Sequence, residues 1–180
     1  LAVGTGEALA LGRRGEADVI VAHAPESELE FVRQGHGRNR RTLMTNDFVV
    51  AGPAADPAGV RGATDAARAL AQIRARGATF VSRGDDSGTH KKETALWRAA
   101  GEPPPGPGPA YLRTGSGMAE TLRIASDRGA YVLTDRSSLL TQARTIALVV
   151  LVEGDPALVN HYSVIEVDPE RFRKAASAHA

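Results

Sequence analysis

Phe80-Val81-Ser82-Arg83-Gly84-Asp85-Asp86-Ser87-Gly88-Thr89-His90-Lys91-Lys92-Glu93-Thr94-Ala95-Leu96-Trp97-Arg98-Ala99-Ala100 reads as the end of a strand, a polar turn and a helix. The β-prone run from Thr79 to Ser82 gives way to a Gly-punctuated turn, and a helix-prone stretch follows until Gly101 supplies a left-handed residue past the helix end. A turn of this kind presents unpaired backbone N–H groups at the positive end of a helix dipole. Ser87 and Thr89 add hydroxyl donors and Arg83 a cation, so the surface suits a compact anion. Other readings of the stretch are weaker. A serine nucleophile at Ser87 needs a general base and an orienting carboxylate, and only His90 lies nearby. The G-x-S-x-G elbow fails because an aspartate takes the first glycine's place, and the G-x-x-x-x-G-K-[ST] phosphate loop does not fit Gly84 to His90. An N-cap role explains Ser87 but leaves Arg83 and the second aspartate unexplained.

Working outward, the chain of 180 residues is long enough to bury a substantial core as one domain or two small ones. Lys and Arg number 22 against 21 Asp and Glu, a net charge of +1, so no charge excess steers the protein towards nucleic acid. Any preference for anions must come from local geometry. Cysteine is absent, which excludes disulfides and thiolate metal sites. No stretch approaches the roughly 20 apolar residues of a membrane span, and no basic-then-apolar leader opens the chain.

Val3-Gly4-Thr5-Gly6 reads as the end of a strand and a turn into a short helix closed by Gly15, with Thr5 either an N-cap or a ligand contact. Glu16 to His23 reads as a buried strand with His23 packed at its end. Pro25 opens a helix that Gly35 closes. Gly37-Arg38-Asn39-Arg40-Arg41 is expected as a basic loop, Thr42 to Ala51 as a long strand, and Asp56-Pro57-Ala58-Gly59 as a turn-rich passage at a domain crossing. Ala63 to Arg76 is expected as a helix capped by Thr64 or Asp65. Glu102 to Pro109 is too rich in proline for helix or central strand. Ala110 to Met118 forms a further strand-to-helix turn, Tyr131 to Arg136 a strand ending at a loop, and Ile146 to Val152 and Tyr162 to Val167 two more strands. Alternation of this kind predicts α/β layers with a mainly parallel sheet. Ligands of such sheets gather at the carboxyl ends of strands. Thr5, Ser82 to Thr89, Gly115 to Gly117 and Thr134 to Arg136 all fall on such edges.

Five motifs occur in order: Val3-Gly4-Thr5-Gly6-Glu7-Ala8-Leu9, Asn46-Asp47-Phe48-Val49-Val50-Ala51-Gly52-Pro53, Phe80 to Glu93, Gly129-Ala130-Tyr131-Val132-Leu133-Thr134-Asp135-Arg136 and Leu151-Val152-Glu153-Gly154-Asp155-Pro156. Together they span almost the whole chain, which resembles the substrate-binding proteins of tungstate ABC transporters, of the type II periplasmic binding protein class. The resemblance implies two α/β lobes joined by a two-strand hinge near residues 49–53 and 151–155. Residues 1–51 and 155–180 would form lobe 1, and 54–152 lobe 2. Members of that family carry a strand, a Thr/Ser-rich loop and a helix before the Val3-Gly4-Thr5-Gly6 motif, so the first lobe here is expected to lack its N-terminal strand and helix. A glutamine is expected where Ser116 stands.

The function so implied is capture of tungstate or molybdate in a cleft between the lobes, in the periplasm or another extracytoplasmic space, and delivery to ABC permease subunits. No cofactor, no catalytic residue, no nucleic acid and no direct membrane span is expected, and tungsten enters only as its oxyanion. The expected ligand shell is Arg83, Ser82, Ser87, Gly88, Thr89, Thr5, Gly6, Ser116, Asp135 and Arg136. Three alternatives stay open: a phosphate-binding protein if Asp85 or Asp86 faces the anion, a hydrolase using Ser87 and His90, and the effector-binding domain of a transcription regulator.

Overall fold

The computed structural model describes residues 1 and 3–171. The chain divides into two compact units, Leu1–Thr45 with Asn160–Ala180, and Asn46–Val159. Residues 172–180 of the expected lobe 1 lie outside the described residues.

The first unit contains α1 (Thr5–Arg14), β1 (Val19–Ala22), α2 (Pro25–Arg33), the first part of β2 (Gly37–Pro53) and nearly all of β7 (Val159–Val167). β1 runs antiparallel to β7 from Val19↔Glu166 to Ala22↔Ser163, and β7 adjoins β2. Leu9, Ile20, Ala22, Phe31, Ile165 and Val167 close a small apolar core. Leu1 and Val3, expected at the end of a strand, carry no strand. His23 is packed as expected: its ring stacks on Tyr162 at 4.8 Å and its Nδ1 meets Asn160 Oδ1 at 3.2 Å. The basic run Gly37 to Arg41 is strand, not loop. Two of its polar side chains are held by partners: Arg40 reaches buried Glu28 of α2 at 2.9 Å and Asn39 reaches Glu166 of β7 at 2.9 Å. Such pairing, to a helix and to a neighbouring strand, lets polar residues sit in a strand that propensity alone disfavours.

In the second unit, residues 46–53 of β2 pair antiparallel with β5 (Tyr131–Asp135), from Phe48↔Asp135 to Ala51↔Val132, and with β6 (Leu148–Val152). β3 (Phe80–Ser82) lies parallel between β5 and β4 (Tyr111–Arg113). The sheet is therefore mixed, whereas a mainly parallel one was expected. β3, β4, β5 and β6 run in one direction, while β2, inserted between β5 and β6, runs against them and makes both of its pairings antiparallel. The helices are α3 (Ala66–Ala75), α4 (Gly88–Ala99), α5 (Met118–Asp127) and α6 (Arg136–Gln142). Alternate strand residues point to opposite faces. Phe48, Val50, Phe80, Tyr131 and Leu133 pack with Leu70, Ile73 and Trp97 of α3 and α4. Val49, Ala51, Val81 and Val132 pack with Leu122, Ala125 and Leu139 of α5 and α6. Both faces are thus covered, which is why residues 48–51 are apolar without a break.

Residues 46–51 and 155–159, expected in lobe 1, belong to this second unit. Their pairing and burial explain it: Leu158 is fully buried in its core, and the Asp155 carboxylate accepts the Ala66 N–H at 2.7 Å at the start of α3. The stretches expected as hinge, 49–53 and 151–155, include paired strand from Val50↔Val152 to Pro53↔Leu148. α6 was not expected. Asp135 caps it, and the polar strand end read as a loop is in fact its first turn.

Candidate anion-binding site

β3 ends at buried Ser82, and the chain turns through Arg83 to Ser87 into α4. Two residues of this turn are left-handed, Gly84 at φ 61° and Asp86 at φ 58°. Gly84 is required twice over, because a Cβ there would stand 2.9 Å from Cβ of Arg113. Side chains hold the turn. Asp85 accepts from Arg83 Nη2 at 2.5 Å and from the Ser87 N–H at 3.2 Å. His90 Nδ1 accepts the Asp86 N–H at 3.0 Å, and Ser87 Oγ accepts the His90 N–H at 3.4 Å as the N-cap. Gly88 and Thr89 are the first two helical residues, so their amides point beyond the helix end. Arg83 Nε is buried and without a partner. An unmet cationic donor beside two helix-start amides is an anion's complement.

The carboxylate of Asp85 tempers that charge. Burial pushes its pKa up, but the hydrogen bonds from Ser87 and the Arg83 charge outweigh burial and hold the carboxyl below its usual range. Ser87 and His90 do not form a nucleophile and base. The serine oxygen accepts a backbone N–H and the imidazole accepts another, so each is spent on the helix start.

The neighbouring β4–α5 turn is tied to this one by Thr114 N–H to Ser82 O at 3.0 Å and Gly115 N–H to Arg83 O at 2.8 Å. Ser116 sits on it, but its hydroxyl donates to Thr114 O at 3.3 Å and its N–H to Thr114 Oγ1 at 3.2 Å. Thr121, fully buried, braces the turn through Thr114 Oγ1 at 2.9 Å and Gly117 O at 3.0 Å.

Asp135 and Arg136 lie at the same edge of the parallel strands, yet both are committed to other tasks. The Asp135 carboxylate accepts from Ser137 Oγ, Ser138 N and Ser138 Oγ at 2.6–2.9 Å. Arg136 donates to Asp47 through Nε and Nη2 and to Glu153 at 2.6 Å, which raises its pKa further. Paired with two carboxylates, it brings no free positive charge to an anion. Ser82 is turned inward: it is buried, and its hydroxyl accepts the Gly84 N–H at 3.2 Å. The structure therefore gathers Arg83, Ser87, Gly88 and Thr89 at one helix start, with Ser82 beneath and Ser116 beside. Thr5 and Gly6 open α1 in the first unit, after Gly4 as N-cap, with Thr5 buried.

Asp47, Glu93, Tyr111 and Thr121 were not singled out from the sequence. Glu93 had a readable signal, the spacing Thr89, Glu93, Trp97 that aligns it with buried residues on one helix face. Asp47 and Tyr111 had none, because their partners are remote in sequence.

Comparison with known proteins places the chain. A model of the PBP superfamily domain matches residues 1–180. A putative ABC transporter anion-binding protein of Haloferax volcanii is 49% identical over 174 residues, 94% of this chain and 50% of its own length. The tungstate-binding protein TupA of Peptoclostridium acidaminophilum is 43% identical over 173 residues, 95% of this chain and 60% of its own. This chain thus spans between half and two thirds of the relatives' length. The solved structure of the tungstate-binding protein TupA from Desulfovibrio alaskensis G20 superposes with a TM-score of 0.85 at 47% identity, over 97% of this chain and 71% of that one.

Proposed function

This chain belongs to the PBP superfamily, and from that membership we propose that it is the substrate-binding component of an ABC importer for tungstate or molybdate. It would act outside the cytoplasm and hand the anion to the transporter's permease subunits. No substrate is turned over on this reading. Among the described residues no helix is long and apolar enough to cross a membrane.

The observation that carries the proposal is the buried, unpartnered Arg83 Nε beside the Gly88 and Thr89 amides at the start of α4. The names of the relatives, tungstate-binding and anion-binding, support it. Arg83 supplies charge and a forked donor, and Ser87, Thr89 and the helix amides add neutral donors. Thr5 and Gly6 are proposed as further donors, and the two chain crossings as the two-strand hinge. Both Asp85 oxygens already accept hydrogen bonds within the turn, which favours a fully ionised anion over one that must donate a proton.

Calorimetric titration with tungstate, molybdate, sulfate and phosphate tests this. Tungstate and molybdate are expected to bind with micromolar or tighter affinity and phosphate not to bind. Phosphate binding without tungstate binding would overturn the assignment.

A further inference from the structure

Thr121 is fully buried in the first turn of α5, beside Leu122 and one turn before Ala125, both part of the apolar core. Valine has nearly the same shape, so a buried hydroxyl in this place is favourable only where it is hydrogen-bonded. Its own helix would suffice for that: Thr121 Oγ1 donates to Gly117 O at 3.0 Å, the bond a helical threonine makes to the carbonyl four residues earlier. The oxygen nevertheless also meets Thr114 Oγ1 at 2.9 Å, outside the helix and just past the end of β4.

Proton counting gives this pair a direction. A hydroxyl has one proton to give and two lone pairs to receive. With the Thr121 proton on Gly117 O, the contact of 2.9 Å takes the Thr114 proton, and both short bonds are made. The opposite arrangement makes only one of them and leaves the Thr114 proton to Ser82 O and Arg83 O, each 3.4 Å away and long for an O–H donor. The Thr121 oxygen therefore draws the Thr114 proton away from those two carbonyls. As an acceptor, Thr114 Oγ1 holds the Ser116 N–H at 3.2 Å.

The consequence falls on Arg83. Its carbonyl accepts the Gly115 N–H at 2.8 Å, and the Gly84 N–H of the same peptide unit donates to Ser82 Oγ at 3.2 Å. That unit is thus held at both ends, and the left-handed bend at Gly84, pressed against the Arg113 side chain, leaves it no slack. Its orientation sets the direction in which the Arg83 side chain leaves the backbone, and with it the buried, unmet Nε. A carbonyl drawn towards the Thr114 hydroxyl would rotate the unit and carry the guanidinium with it.

We propose that Thr121 is a positioning residue for anion capture: by holding the Thr114 proton it leaves the Arg83 carbonyl to Gly115 and so fixes where the Arg83 guanidinium points. The inference rests on the oxyanion reading of the Arg83 turn. A turn fixed in advance also discriminates, because it does not close on an anion smaller than the one it fits. Tungstate is larger than sulfate, so loss of the brace narrows the preference between them.

Calorimetric titration of wild type, Thr121→Val and Thr121→Ser with sodium tungstate and with sodium sulfate tests this. Thr121→Val keeps the shape and removes the hydroxyl. Its tungstate affinity is expected to fall by about tenfold, the scale of one hydrogen bond, and the ratio of tungstate to sulfate affinity to fall with it. Thr121→Ser keeps the hydroxyl and leaves a methyl-sized void, so it should lower the urea midpoint yet restore tungstate affinity to within about threefold of wild type. That contrast separates positioning from packing, since a purely structural threonine gives a serine variant that binds no better than the valine one. Thr114→Val removes the other half of the pair. It should weaken tungstate binding to a similar extent, with the double variant no worse than either single one, and it carries the test should Thr121→Val fail to fold. Unchanged affinity in both valine variants, fully additive losses in the double variant, or no rescue by serine overturns the inference. Absence of tungstate binding in wild type removes the functional reading itself, and the inference with it.

Discussion

The Arg83 guanidinium shares its turn with its own counter-ion, and that pairing sets how much it can give an anion. One Nη2 is held by Asp85 and the Nε is unmet. Arg83→Lys keeps a charge but loses the fork, and a hydrogen bond to a charged group contributes about 1.5–3 kcal/mol. Tungstate affinity should fall by roughly 10- to 100-fold in calorimetry, with the fold intact. Arg136 has a different part. Its hydrogen bonds hold the Asp47 carboxyl below the usual range, against the upward push of burial. A depressed folded-state pKa means that this stabilisation is complete above the unfolded value of about 3.9 and drains away as pH falls through the lower folded one. Arg136→Met should therefore cost about 1 kcal/mol at neutral pH, the pair being a third exposed and screened, and should flatten the acid limb of the urea midpoint below about pH 4. Arg83, Gly88 and Thr89 were legible in the sequence because a strand end, a glycine turn and a helix start are local signals. The commitment of Arg136 to Asp47 and Glu153 was not, since it joins residues 89 and 17 positions apart.

Secondary-structure elements were legible where punctuation marks them. Gly101 and Gly129 end helices with φ of 77° and 56°, and Asp65 caps α3 by accepting the Arg68 N–H at 2.9 Å. β2 was half legible. Its apolar part has both faces covered, while its basic part owes its strand form to partners on α2 and β7 that local propensity does not reveal. In the apolar part, Gly52 lies against Tyr131, whose ring is fixed by its hydroxyl: it donates to Asp56 at 2.8 Å and accepts from the Ala58 N–H at 2.8 Å. A Cβ at residue 52 would meet the Tyr131 ring and Leu151 Cδ1 at 2.7 Å. Gly52→Ala should destabilise the second unit by about 1–3 kcal/mol, read as a lower urea midpoint with an unchanged slope.

At the scale of the molecule, a guest that binds only the folded state adds to its stability by mass action. Tungstate at about 100 times its dissociation constant should raise the unfolding free energy by about 2.7 kcal/mol, seen as an upward shift in the thermal midpoint that sulfate at equal concentration fails to match. The α/β class and the family were legible from the order of the five motifs, because that order spans nearly the whole chain. The mixed direction of the second sheet was not, because strand direction depends on which edge each strand joins.

One 17-residue strand, β2, supplies residues to both units without an intervening loop. A strand inverts every side chain when its register slips by one. Length is therefore frozen along β2, and a single-codon deletion within residues 48–51 would swap the two apolar faces of the second unit's sheet. Natural size variation among homologues should instead collect in the proline-rich connection from Glu102 to Pro109, which contains no helix or strand.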